Sequence, residues 1–455
     1  MNFLDLVDKR VLVVGLGKSG VASALFLKSR GALVTVSDSK PEAELRDEIL
    51  LLLEHGITVE TGGHGERTFR GQDLIVVSPG VPADAPQLAQ ARMLGEAIIG
   101  EIELAARFLA GHIVAITGAN GKTTTTSLAG EIVAAGKFAT LVGGNIGTAA
   151  ISLVDRAGPA TWTVLEVSSF QLETIVEFRP RIAVILNITP DHLDRHKTFD
   201  NYVNAKARVF ENQRADDFTV LNAADSTTAG LSERTRAQLF WFSRKKEIEK
   251  GAFVRGERIY FRNGHNEREI LPLAEVPLKG GHNLENVLAA VSIGMLVGCK
   301  PEQIRHAVRM FKAVEHRLEF VARVAEVDYY NDSKATNVDA TIKALESFPA
   351  NVHLILGGKD KGSDYTVLHE LLRQRVKRVY TIGAAAAKIE SQIQGAAEVL
   401  RAETLENAVR LAGAAAAAGD VVLLAPACAS FDQFQSYEHR GRVFKETVHS
   451  LEIRS

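Results

Sequence analysis

Two cysteines in 455 residues leave no material for a disulfide framework or a thiolate metal cluster. Cys299 and Cys428 suit a reducing compartment. Charge of one sign is also missing. The formal net charge is −2, so no overall basic field recruits nucleic acid. Long apolar runs are absent too. The run Val11–Val14 follows Asp5 and Asp8 and reads as a buried strand rather than the core of an export signal. Leu411–Ala418 is mostly alanine, lies between Arg410 and Asp420, and is too short to span a bilayer. It reads as a packed helix. What remains is an ordinary soluble composition, 46% apolar and 24% charged, long enough for several domains. A cytoplasmic protein is expected.

What is present is a phosphate loop. Ile113-Val-Ala-Ile116 runs into Thr117-Gly118-Ala119-Asn120-Gly121-Lys122-Thr123-Thr124. A strand entering a glycine turn that opens a helix on Lys-Thr points backbone N–H groups at phosphates. The lysine then reaches the β/γ oxygens and the threonine hydroxyl meets Mg²⁺. The spacing is Gly-x-x-Gly-Lys-Thr, two residues tighter than the usual P-loop. That points away from switch GTPases and towards ATP-using ligases.

The βα alternation divides into three segments. Residues 1–98 form a doubly wound unit, with strands Val11–Val14, Leu33–Ser37 and Leu74–Val77. Residues 99–313 carry the phosphate loop, enter through a helix over 101–109, and include a small β insertion over 212–280. Residues 314–455 form a further parallel unit, with strands at 325–330, 352–356, 378–382 and 421–424. The fold class is α/β: two Rossmann-like end domains around a central P-loop domain.

Gly15-x-Gly17-Lys18-Ser19-Gly20, with Asp38 ending the next strand, matches the dinucleotide fingerprint. Alone it would suggest a nicotinamide oxidoreductase, but the same geometry holds any ribose diphosphate. Beside an ATP loop it suits a nucleotide-linked substrate. Glu166 ends an apolar strand, where a carboxylate faces the ligand crevice and suits Mg²⁺. His192 in Asp191-His192-Leu-Asp194 is a candidate metal ligand. Lys206, on a helix with an apolar face, reads from its pattern as a snorkelling surface lysine. Asn283 and Asn286 share a helix face. Arg317 can grip phosphate or make a salt bridge. Three polar clusters follow strands of the last segment: Asn331–Asn337, Gly357–Gly362 and Ala427–Phe434. All lie on one C-terminal rim.

In this order the motifs resemble the ATP-dependent Mur ligases of peptidoglycan synthesis, over essentially the whole chain. Ser168-Ser-Phe-Gln171 and Asn331-Asp-Ser-Lys-Ala-Thr-Asn337 are similar to the D-glutamate-adding branch. The resemblance implies the substrates ATP, UDP-N-acetylmuramoyl-L-alanine and D-glutamate, with Mg²⁺, an acyl-phosphate intermediate, and no nucleic-acid partner in a monomer. It implies UDP-substrate contacts from Gly17, Lys18, Ser19, Asp38, Ser78, Gly80 and Asn145. ATP would be held by Gly118, Asn120, Gly121, Lys122, Thr123, Thr124, Asn286, Arg317 and Asp332, with Lys334 near the terminal phosphate. Metal would be served by Thr123, Glu166, His192 and Lys206. D-glutamate would meet Thr336, Lys361, Ser430, Phe431 and Tyr437. Lys122, His192, Lys206 and Lys334 would carry the catalysis. Lys206 aligns with the family's carbamylated lysine, which reverses the surface reading. Ala119 and Tyr437 depart from the pattern, where a hydroxyl residue and a phenylalanine are more usual. The alternatives are a folylpolyglutamate-synthase-like ligase, a nicotinamide oxidoreductase, and a nucleotide switch.

Overall fold

A computed structural model describes residues 5–65, 67–312 and 315–452, with Asp194 and Glu452 described by their backbone alone. The chain divides into two compact bodies. One comprises the residues up to Glu275 together with Asn286–Arg309. The other comprises Val276–Glu285 and the residues from Met310 onward.

The first body contains two sheets. The opening sheet has five parallel strands in the order Thr58–Glu60, Leu33–Ser37, Arg10–Val14, Leu74–Val77 and Ile98–Gly100. Near-continuous apolar runs such as Leu74-Ile-Val-Val77 suit strands covered on both faces. The last strand continues to Gly100, past the expected boundary at 98. The second sheet has nine strands, centred on His112–Thr117 between Ile182–Ile185 and Trp162–Glu166. Thr140–Gly144 closes one edge. The β-rich stretch after 212 extends the other edge of this sheet. Phe218–Asn222, Gln238–Ser243 and Lys250–Arg255 join in parallel, and Arg258–Asn263 and Asn266–Pro272 return antiparallel. The expected insertion is therefore an edge extension of the central sheet.

The helix Glu101–Phe108 joins the two sheets and is anchored at its first turn by two buried carboxylates. Glu101 accepts the N–H of Ile151 at 2.8 Å. Glu103 accepts the N–H groups of Val176, Glu177 and Phe178 at 2.8–3.1 Å, together with Arg107 Nε. A single apolar core includes Val11, Leu27 and Val36 from the first sheet region, Ile102 and Leu104 from this helix, and Leu153 and Leu165 beyond it.

The second body holds a six-stranded sheet: Glu319–Val324, Val327–Asn331, Val421–Leu424, Val352–Gly357, Val376–Ile382 and Glu398–Glu403. Its first two strands form an antiparallel hairpin, so this unit is not wholly parallel. Ala325 and Glu326, expected to start a strand, are the turn of that hairpin, at φ 48° and 61°. Two positive-φ residues make the tight turn that best matches strand twist, yet neither is the asparagine or glycine that would signal it. The alanine-rich helix is Leu405–Ala415, which starts and ends earlier than the expected Leu411–Ala418, and the next strand starts at Val421. The expected domain start at Val314 lies outside the described residues. Among the described residues, no helix is long and apolar enough to cross a membrane.

Candidate active site

The phosphate loop leaves the strand His112–Thr117 and opens the helix Lys122–Ala135. Gly121 sits at φ 85°, where only glycine is at ease, and a Cβ there would collide with Asn286 Oδ1. The expected ATP residue Asn286 is thus packed directly against the loop. Asn187, which sequence reasoning did not single out, pins the loop from the other side. It accepts Asn120 N–H at 2.8 Å and donates to Asn120 O at 3.1 Å. Its only sequence signal was its place at a strand's C-terminal end.

Behind the loop, Thr123 Oγ1 donates to Glu166 Oε2 at 2.7 Å, and Asn145 Nδ2 donates to Glu166 Oε1 at 2.9 Å. Thr123, Asn145 and Glu166, placed far apart in the sequence, therefore meet. A hydroxyl and one carboxylate are hard oxygen donors of the kind Mg²⁺ accepts while keeping positions for phosphate and water. Among the described residues no group of three or more His, Cys, Asp or Glu could hold a metal alone. The donor set therefore fits a metal shared with phosphate rather than a protein cage.

Lys122 Nζ donates to Gly118 O and Ala119 O, both at 2.9 Å. Lys206, on the helix Phe199–Ala207, is 2% exposed and donates to the same Gly118 O at 2.8 Å. The pattern-based surface reading of Lys206 is overturned. The helix face is covered, and its ammonium lies inside, 4.6 Å from the Tyr202 ring centroid. Burial first, and the Lys122 charge second, push its pKa well below that of an ordinary lysine, against Asp191 and Glu166. His192 adopts φ 53°, pairs with Asp191 at 3.6 Å and packs edge-on to Phe170. Ser168 and Gln171 form a capping box on the short helix Ser169–Leu172, which accounts locally for the Ser-x-x-Gln spacing.

At the rim of the first sheet, Gly20 must be glycine, because a Cβ would strike Gly15 O. Two expected substrate contacts are used to build this loop. Asp38 accepts the N–H groups of Leu16 at 2.6 Å and Lys40 at 2.8 Å, and Ser78 Oγ donates to Gly15 O at 2.9 Å. Gly17, Lys18 and Gly80 are exposed at the same rim, with Ser19 half-buried.

In the second body the three expected clusters do meet on one rim. Lys359 and Ala429 exchange N–H···O bonds at 2.8 and 3.1 Å. Lys334 Nζ stands 3.7 Å from the Tyr437 ring centroid. Burial pushes Asp332 up to about 7, while the Arg317 guanidinium and the Leu318 N–H pull it down. Ser430 is buried, Thr336 is half-buried, and Lys361 and Phe431 are exposed. Sequence reasoning missed Arg440. It is wholly buried on the helix Tyr437–Glu452. It donates to Ser333 Oγ at 2.9 Å, Ser333 O at 2.8 Å and Cys428 O at 3.2 Å, and so clips two of the three clusters together. An arginine on a charged helix carries no signal of this.

Three family models match in chain order: the Mur ligase MurD-like N-terminal domain over 9–100, the Mur ligase middle domain over 116–294, and the Mur ligase glutamate ligase domain over 316–428. The UDP-N-acetylmuramoylalanine–D-glutamate ligase of Koribacter versatilis is 67% identical over 448 residues, covering 98% of this chain and 99% of the relative. The enzyme of the same name from Acidobacterium capsulatum is 60% identical, covering 98% and 97%. The MurF ligase of Thermotoga maritima, solved with ADP, shares the fold at TM-score 0.62 and 16% identity, covering 99% of this chain and 100% of that one. With three matching models and relatives this similar end to end, the chain belongs to the Mur ligase family.

Proposed function

We propose that this protein joins D-glutamate to UDP-N-acetylmuramoyl-L-alanine at the expense of ATP, releasing ADP and phosphate. The relatives' shared name supports the substrate pair. The phosphoryl chemistry is carried by one observation, the Thr123–Glu166–Asn145 chain behind the phosphate loop.

The alanyl carboxylate attacks the γ-phosphorus of ATP, ADP leaves, and an acyl phosphate forms. The D-glutamate amine then attacks that carbonyl, the tetrahedral adduct collapses, and phosphate departs. The first step brings two anions together. Lys122 and the loop amides offset their repulsion, aided by Arg317 and Lys334. Mg²⁺, held by Thr123 and Glu166 with His192 nearby, would supply further charge neutralisation at the phosphates. Asn120, Thr124, Asn286 and Asp332 complete the nucleotide site. Gly17, Lys18, Ser19 and Gly80 receive the uridine diphosphate on the loop that Asp38 and Ser78 shape. Thr336, Lys361, Ser430, Phe431 and Tyr437 receive D-glutamate.

Lys206 has a specific part. Carbon dioxide adds only to a neutral amine, and burial beside Lys122 favours that form. The carbamate would turn a cation into an oxygen ligand for the metal.

Lys122→Ala tests the phosphate-loop assignment. ADP formation should fall on the order of 10³-fold, while UDP-substrate binding, followed by calorimetry, survives. Retained turnover would remove the assignment. Product analysis with UDP-N-acetylmuramoyl-L-alanine and a panel of D- and L-amino acids tests the acceptor. Only D-glutamate should give a new amide.

A further inference from the structure

The loop before the expected D-glutamate residue Lys361 is tied down by groups that the reaction itself does not use. Asp360 accepts Lys388 Nζ at 2.7 Å, Tyr365 OH at 2.8 Å and the Ser363 N–H at 3.1 Å. Tyr365 is fully buried, and its hydroxyl also lies 2.9 Å from Cys428 Sγ, two residues before Ser430. One phenol oxygen therefore touches both loops of the amino-acid rim. Gly358 and Gly362 flank Lys361 and Asp360 at φ 132° and 82°. A loop so bounded is costly to order, at roughly 1–2 kcal/mol per residue.

We propose that Asp360, Tyr365 and Lys388 form a positioning network that presets Lys361 and Ser430 for an acidic amino acid. This rests on reading the rim as the amino-acid site. Ordering the loops in advance lowers the cost of binding. The network also sorts charge. Asp360 cancels Lys388, which leaves the Lys361 ammonium for the substrate's carboxylate. Burial pushes Asp360 up, but Lys388, Tyr365 and the loop N–H groups outweigh it and hold the carboxyl at about 2. Burial raises the Cys428 thiol to about 11 and lifts the Tyr365 phenol. The pairing therefore does not change near neutral pH.

The test is steady-state kinetics on the full chain, with each substrate varied in turn, for Tyr365→Phe, Lys388→Met and Lys388→Arg. KM for D-glutamate should rise about tenfold in the first two. KM for ATP and for the UDP substrate should stay within about twofold, and Lys388→Arg should recover most of the loss. Thermal melts run alongside separate positioning from folding. A lower melting temperature with unchanged KM for D-glutamate would overturn the proposal, as would an equal rise in all three KM values. Lys388 is partly exposed, so its variants keep the test open if Tyr365→Phe folds poorly. Wild-type protein that uses no acidic amino acid would overturn the activity reading and this proposal with it. Wild-type activity with unaffected variants would overturn this proposal alone.

Discussion

Each body of the molecule buries a cation on neutral oxygens, and the two cations respond differently. Lys206 rests on Gly118 O, and Arg440 rests on Ser333 and Cys428. Burial drives the lysine's pKa well below its ordinary value, so the group can give up its proton. The same burial lowers Arg440 only to about 10, so its charge persists at neutral pH. The central site thus carries an amine that chemistry can modify, and the last domain a fixed clamp that holds loops in place. The side chain, more than the degree of burial, decides which of the two results.

Exchanging the two side chains should break this contrast. Lys206→Arg keeps a cation but cannot become a neutral amine. Its kcat should fall about 10³-fold, roughly 4 kcal/mol of barrier, as far as Lys206→Ala. Short-chain carboxylic acids should partly rescue Lys206→Ala and not Lys206→Arg, as read by phosphate release. Near-wild-type activity in Lys206→Arg would dismiss the carbamate. Arg440→Met removes the clamp and strands buried neutral acceptors, and should cost about 1–3 kcal/mol per acceptor left unpaired in denaturant unfolding.

The smallest expected effect sharpens the contrast with a buried group of the opposite sign. Burial raises Glu101 to about 7, against the N–H of Ile151, the Gln171 side chain and the Ala150 backbone. The folded state holds a proton that the unfolded chain has released above the ordinary glutamate value of 4.5. Stability is therefore fully present below about 4.5, declines as pH rises towards 7, and is flat above. The loss is at most about 3 kcal/mol. Glu101→Gln should remove this slope, matching wild type near pH 4.5 and exceeding it at pH 8 in thermal melts. A variant whose melting temperature keeps the wild-type slope would contradict it.

Much of this was legible in the sequence, where the signal is local. The strands Leu74–Val77 and Val421–Leu424 lie where their apolar runs placed them, because parallel strands buried on both faces need such runs. The glycine loops were legible for the same reason, since backbone conformation fixes the residue. Long-range facts were not. Nothing in Phe199–Ala207 tells that Lys206 points inward rather than snorkelling, because an apolar helix face shows that something covers it but not how deeply. Arg440 and Asn187 act by reaching loops far away in the chain. The Ala325-Glu326 turn failed for another reason. Tertiary pairing of Val324 with Val327 imposes positive φ on two residues that do not favour it.

The most direct test of the whole scheme is an isotope experiment. UDP-N-acetylmuramoyl-L-alanine labelled with ¹⁸O in its alanyl carboxylate is turned over with ATP and D-glutamate, and the released phosphate is weighed by mass spectrometry. One labelled oxygen should appear in phosphate for each amide formed, because the acid attacks phosphorus before the amine displaces phosphate. Unlabelled phosphate alongside full amide yield would contradict the acyl-phosphate route.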